Sequence, residues 1–258
     1  MGLEAVSELD LRRWAMFGSA TASYLRWSLL PNLSAPPDEP PAADVLEPLR
    51  WFLERVGDTV PLTQKLNLGR AFVLETDDRY HWYPANDFGW RPRREADLRE
   101  LLFIHALAKR LRGVRREGRK LKLTRRGAAL ISDPAGLWEQ TVRALASAGG
   151  FEGDLTETVL AVLLGSGPSE MTNRELESIT SDVLRASWHI DDELDVPEPG
   201  ILPMFWLEVS DLRAGLAAVG FLEVRDDDEQ EEFRQILRLT PAGRSTAVAV
   251  LRQRARGL

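Results

Sequence analysis

A seven-residue pattern occurs twice in this chain of 258 residues. Leu121-Lys-Leu-Thr-Arg-Arg-Gly127 returns 116 residues later as Leu237-Arg-Leu-Thr-Pro-Ala-Gly243. A fainter echo precedes it: Leu62-Thr63-Gln64-Lys65 with Leu66 matches Met171-Thr172-Asn173-Arg174 with Leu176, an offset of 109. Self-similarity at a nearly fixed period points to repeated copies of one supersecondary unit. Two units, residues 45–149 and 150–258 joined at Gly149-Gly150, are the economical division.

Each unit reads as helix, short link, helix, helix and β-hairpin. In the first, Leu49–Val56 is helical, and Thr63 is placed to cap a second helix through Leu66, Leu68, Phe72 and Leu74. Glu95–Leu111 forms the third, with Leu98, Leu101, Leu102, His105 and Ala108 inward and Arg99, Phe103, Ala106 and Arg110 outward. Gly113–Arg116 and Arg119–Thr124 are the strands, joined by a Glu117-Gly118 turn. Leu121 and Leu123 alternate there with Lys120 and Lys122, the period of a half-buried hairpin. In the second unit Leu155–Leu164 is the first helix and Thr172 caps the next. Phe205, Val209, Leu212, Leu216 and Val219 stripe the third, Gly220 ends it, and Phe221–Arg225 and Gln235–Thr240 are the strands.

Residues 1–44 precede both units. Residues 3–17 have a loosely apolar helical side through Leu3, Val6, Leu9, Trp14 and Phe17. Arg12-Arg13 before Trp14 looks like a twin-arginine export signal, but Glu4, Glu8 and Asp10 precede it and Arg26 interrupts the next apolar run. An ordinary soluble segment is expected. Pro31 to Pro48 holds six prolines in 18 residues, which predicts a stiff linker or a surface-hugging arm. No run of 18 apolar residues occurs, so no transmembrane helix is expected, and a cytoplasmic location follows as an expectation.

Three helices followed by a hairpin are the elements of a winged helix, a helix-turn-helix variant. The Leu-x-Leu-Thr-x-x-Gly segment is similar to the one that closes the wing and opens another helix in many bacterial winged-helix regulators. More narrowly, residues 46–147 resemble a region of uncharacterised actinobacterial proteins. That likeness rests on Leu62-Thr63, Leu121-x-Leu123-Thr124-x-x-Gly127-x-x-Leu130, Asp133-Pro134 and Leu137-Trp138. It implies a mainly α (α+β) fold of two tandem winged-helix units, each about three helices plus a two-stranded wing, behind an N-terminal helical arm. It implies no activity.

Charge separates the units further. The whole chain carries a net −7, yet residues 91–126 hold 14 basic and 4 acidic side chains. Residues 150–233 hold 4 basic and 21 acidic ones. Of the 33 basic residues 29 are Arg, which codon bias in a GC-rich genome explains, but codon bias does not explain clustering. Arg112, Arg115, Arg116, Arg119, Lys120, Lys122, Arg125 and Arg126 would line the first hairpin and its exit. Arg91, Arg93, Arg94 and Arg99 would lie near the start of the third helix. Guanidinium forks suit phosphate oxygens, so these twelve residues are the expected nucleic-acid contacts. The competing reading is a solvated hairpin balanced by the acidic unit. Bases are read largely by Arg, Lys, Asn, Gln, Ser and Thr, and the outward side of the third helix has no amide, so phosphate contact is expected more than sequence readout.

The second unit is expected to avoid DNA. Its third helix offers Glu208, Asp211, Arg213 and Ala217, its hairpin tip is Asp226-Asp-Asp-Glu-Gln-Glu-Glu232, and Asp191–Pro199 adds a second acidic run. Such runs repel phosphate and favour a basic partner, including head-to-tail self-association, when they do not simply solubilise. Neither run has the spacing of a calcium loop.

Signs of an enzyme are missing. With no cysteine there is no disulfide, thiol nucleophile or thiolate-bound metal. His81, His105 and His189 show no metal-ligand pairing; His105 falls on an apolar face and His189-Ile-Asp191 reads as a helix end. Gly165-Ser-Gly167 lacks the context of a phosphate loop. His81-Trp82-Tyr83 with Phe88 and Trp90 could stack bases, although such clusters usually close a core or an interface. No catalytic residue, metal or cofactor is therefore expected. The expected function is non-enzymatic DNA binding through the first unit, as a transcriptional or mobile-element regulator. The alternative is a winged-helix assembly scaffold that binds protein, through the acidic unit, and not DNA. No membrane partner is expected.

Overall fold

The computed structural model describes residues 6–17, 20–35, 41, 45–57, 59–83, 89–167, 169–185, 188, 204–226 and 234–257. Helices α1 (Glu8–Met16) and α2 (Ala20–Ser34) come first, followed by α3 (Glu47–Val56), β1 (Val60–Pro61) and α4 (Arg70–Tyr80). A 3-10 turn, Glu95–Asp97, leads into α5 (Arg99–Arg110), β2 (Val114–Glu117), β3 (Lys120–Leu123), α6 (Arg125–Ile131) and α7 (Pro134–Ala146). The second half holds α8 (Gly150–Gly165), β4 (Met171–Thr172), α9 (Asn173–Arg185) and α10 (Met204–Ala218). It ends with β5 (Leu222–Asp226), β6 (Gln235–Leu239) and α11 (Pro241–Arg256). The chain is mainly helical, with two small three-stranded antiparallel sheets ordered β1-β3-β2 and β4-β6-β5.

The repeated heptapeptide does the same physical work in both places. Its leucines lie on β3 and β6, where Leu121 and Leu237 are fully buried. Thr124 then caps α6: its hydroxyl accepts from the Gly127 N–H at 2.9 Å and donates to the Arg112 carbonyl at 2.7 Å. Thr240 repeats this on α11, accepting from Gly243 at 2.9 Å and donating to the Gly220 carbonyl at 2.7 Å. The glycine has no substitute, because a Cβ on Gly127 would overlap the Gly113 carbonyl and one on Gly243 would overlap that of Phe221. Each copy thus staples a helix start onto the end of a preceding helix.

One apolar core runs through both halves. Its axis is α8, in which every residue from Leu155 to Leu164 is buried. Within that run sits Glu157, 4% exposed at its side chain. It accepts from Trp14 Nε1 at 2.9 Å, Arg26 at 2.6 Å and Arg254 at 2.7 Å, tying α1, α2 and α11 to α8. A buried carboxylate is tolerated because it is paired and fully hydrogen-bonded. Arg252 adds a second tie, its Nε donating at 2.9 Å to the Leu33 carbonyl near the end of α2. Across the halves α5 lies on α10, and α7 lies on α11, where Trp138 Nε1 donates to Thr246 at 2.9 Å.

Several local expectations need correction. Thr63 does not cap α4; it closes a turn, its hydroxyl accepting from the Asn67 N–H at 3.1 Å, and the helix starts only at Arg70. The predicted helix 95–111 breaks at Leu98, whose backbone is extended (φ −122°, ψ 98°). The break lets Glu95 turn inward, where it meets His105 Nδ1 at 2.5 Å and accepts from the Leu68 N–H at 2.7 Å. His105 is buried, as its apolar face predicts. Leu102, expected inside, is 37% exposed, and Phe103, expected outside, is half-buried. Pro31 lies inside α2 rather than in a linker. The short strands β1 and β4, which close each sheet, are additional to the two-stranded expectation. Thr172 does cap α9, its hydroxyl accepting from the Glu175 N–H at 3.2 Å while Glu175 reaches back to the Thr172 N–H at 2.8 Å.

Candidate nucleic-acid interface

The β2–β3 hairpin is positioned by its inward side. Val114 and Leu121 are buried, and β1 adds to the far edge of β3 through Val60 opposite Leu121. Alternation then forces Arg115, Glu117, Lys120 and Lys122 onto the outer face. Arg115 stands opposite Lys122 and Glu117 opposite Lys120. Gly118, at φ +60°, makes the tight turn with Arg119 that a side chain would strain.

The structure brings eight of the twelve expected cations together here. Arg112 precedes β2, Arg116 and Arg119 flank the turn, and Arg125 and Arg126 open α6. Arg112, Arg115, Arg116, Arg119, Lys120, Arg125 and Arg126 are exposed and Lys122 is half-buried. Arg112, Arg116, Arg119, Lys120 and Arg125 make no side-chain hydrogen bond or ion pair among the described residues. The others have modest partners. Arg126 meets Gln140 at 2.5 Å, and Glu117 lies 2.9 Å from Lys122 and 3.4 Å from Arg115. The hydrogen bond from Lys122 is the main reason that the Glu117 carboxyl is held below the usual range.

The remaining four lie elsewhere, since the twelve residues of α5 put about 18 Å between Arg99 and the strands. Arg91 pairs with Asp78, and Arg94 pairs with Asp97 at 3.0 Å. Arg93 is exposed and gives its backbone N–H to Asp97 at 2.9 Å. That bond, with a second from the Arg94 N–H, holds the Asp97 carboxyl low. Arg99 is engaged by Asp211 of α10 at 2.6 Å.

What covers α5 was not visible from its own residues. Phe103 lies so close against Gly215 of α10 that a Cβ there would overlap the ring. Arg110 pairs with Glu152 of α8, and burial raises the Glu100 carboxyl above its ordinary value. Three of the four side chains on the outward stripe are therefore held by the second half of the chain.

The second hairpin has the same register and a different surface. Its Arg238 pairs with Glu223 at 2.6 Å and its Arg225 with Glu170 at 2.5 Å, so both strand cations are neutralised. Asp226 is exposed at the end of β5, whereas residues 227–232 of the acidic tip, the run Asp191–Pro199, His189 and Phe88 lie outside the described residues. The aromatic cluster packs on itself. Tyr80 stacks on Trp82 at 4.6 Å, Trp51 meets Tyr80 edge-on at 5.5 Å, and the Arg79 guanidinium lies over Trp51 at 5.6 Å. Trp90 is 67% exposed. No helix among the described residues is long and apolar enough to cross a membrane.

No protein-family model, curated protein or solved structure matches this chain.

Proposed function

We propose that the chain is two tandem winged-helix units, residues 45–149 and 150–258, behind a docked N-terminal arm, and that it binds duplex DNA without catalysis. Support for the units comes from the matching strand orders and from the two Thr-Gly staples with the same partners. Support for DNA comes from one observation above the rest: five exposed cations on and beside the first hairpin have no acidic partner. Charges left unneutralised on one rigid element suit a regular array of phosphates. Contact through α5, the helix that such folds usually lay in the major groove, is not part of this reading, because α10 covers it. The second unit serves to brace the first and to cover that helix.

A gel shift on random-sequence duplex tests the proposal. The wild-type chain should retard the duplex, and the triple reversal R116E/R119E/K120E should abolish retardation while leaving the circular dichroism unchanged. Equal retardation by both proteins refutes the assignment.

A second reading, a protein-binding scaffold, is favoured by the outer side of α1–α2. Leu9, Met16, Phe17, Tyr24 and Trp27 are exposed there, five of the eight large exposed apolar side chains among the described residues. Apolar exposure on that scale marks contact surfaces. Under this reading the protein ignores DNA and sediments as a concentration-dependent oligomer or with a partner.

A further inference from the structure

With α5 covered, any reading of bases falls to another element. The only other element shaped for the purpose beside the free cations is the hairpin itself. Two strands about 4.8 Å apart fit within a major groove about 12 Å wide, which admits a two-stranded ribbon. Four residues per strand extend about 13 Å, enough to reach the base edges.

The outer face of this hairpin carries a feature that phosphate binding does not explain. Glu117 sits among Arg115, Lys120 and Lys122, where a carboxylate weakens attraction to a polyanion. It is also fixed in place: its two oxygens lie 2.9 Å from Lys122 Nζ and 3.4 Å from the Arg115 guanidinium, which themselves stand on directly opposed residues. Two cationic donors therefore flank one anionic acceptor on a single face. A G·C pair presents the complement in its major groove, two acceptors on guanine (N7 and O6) beside the cytosine N4 donor. An A·T pair suits it less, since thymine offers a single acceptor next to an apolar methyl group.

We infer that the β2–β3 hairpin enters the major groove as a ribbon, and that Arg115 and Lys122 read guanine while Glu117 accepts from the paired cytosine. This inference rests on the DNA-binding reading above. It assigns Glu117 to specificity, where simple electrostatics would make it only a weakness.

The two roles separate in one experiment, fluorescence anisotropy of the full chain on two duplexes of equal length, one G·C-rich and one all A·T. The wild type should prefer the G·C-rich duplex at least tenfold. E117A should bind both duplexes more tightly, because an acid is gone, and its preference should fall to threefold or less. R115A should lower affinity and preference together. A wild-type chain that binds both duplexes equally overturns the inference and leaves backbone binding standing. An E117A protein that keeps the full preference also overturns it. Absence of binding to either duplex overturns the inference and the DNA-binding reading together.

Discussion

At the scale of single residues, the chain is organised by a few close approaches that permit one side chain only. Gly243 is the sharpest, since its α-carbon faces the Phe221 carbonyl with no room for a methyl group. Gly243→Ala should cost about 2–3 kcal/mol in urea denaturation, as the backbone must shift to relieve the overlap. Glu157 is the matching polar case. Glu157→Gln leaves Arg26 and Arg254 as half-buried cations with no carboxylate between them. The expected loss is about 3 kcal/mol, visible as faster proteolytic cleavage within α1–α2. These residues differ in how much the sequence discloses. The Leu-x-Leu-Thr-x-x-Gly staple is local, with strand, cap and glycine inside seven residues, so it can be read directly. Glu157 reads only as an acid in an apolar run, because its three partners lie 97 to 143 residues away.

At the scale of elements, the capping box on α9 gives a pH-dependent test. The Thr172 N–H is the main cause that lowers the Glu175 carboxyl. A carboxyl lowered in the folded state contributes stability that is present above its unfolded value, about 4.3, and is lost as pH falls through the folded value. Wild type should therefore exceed Glu175→Ala by about 0.5–1 kcal/mol at pH 7. The difference should fade on acidification below pH 4, followed by thermal unfolding. Helices with strong apolar periodicity were legible, as with the buried stripe Phe205, Val209, Leu212, Leu216 and Val219 of α10. The two-residue strands β1 and β4 were not, being too short to show an alternation. The exchange of Leu102 and Phe103 had another cause. Periodicity places a stripe to within a residue, whereas the Gly215 notch that takes Phe103 is 112 residues away.

At the scale of the whole molecule, the segregated charge is divided between internal pairing and free surface. The basic segment 91–126 reads as one patch in sequence, but the fold separates it. Arg91, Arg94, Arg99 and Arg110 are neutralised by nearby or second-half acids, whereas five cations on and beside the hairpin stay free. Net charge by segment located the region, and only the packing of α10 on α5 decided which part of it faces solvent. The acidic half thus supplies Asp211 and Glu152 as specific partners, beyond any role as a solubilising mass.

The central claim, that the free cations of the first hairpin meet DNA phosphates, is tested most directly by the salt dependence of binding to random duplex. Engagement of all five gives a slope of log K against log salt of about −4.5, at about 0.9 per phosphate, and R116E/R119E/K120E should flatten it by about 2.7 or abolish binding. A wild-type slope near zero, or one that the triple reversal leaves unchanged, contradicts the claim.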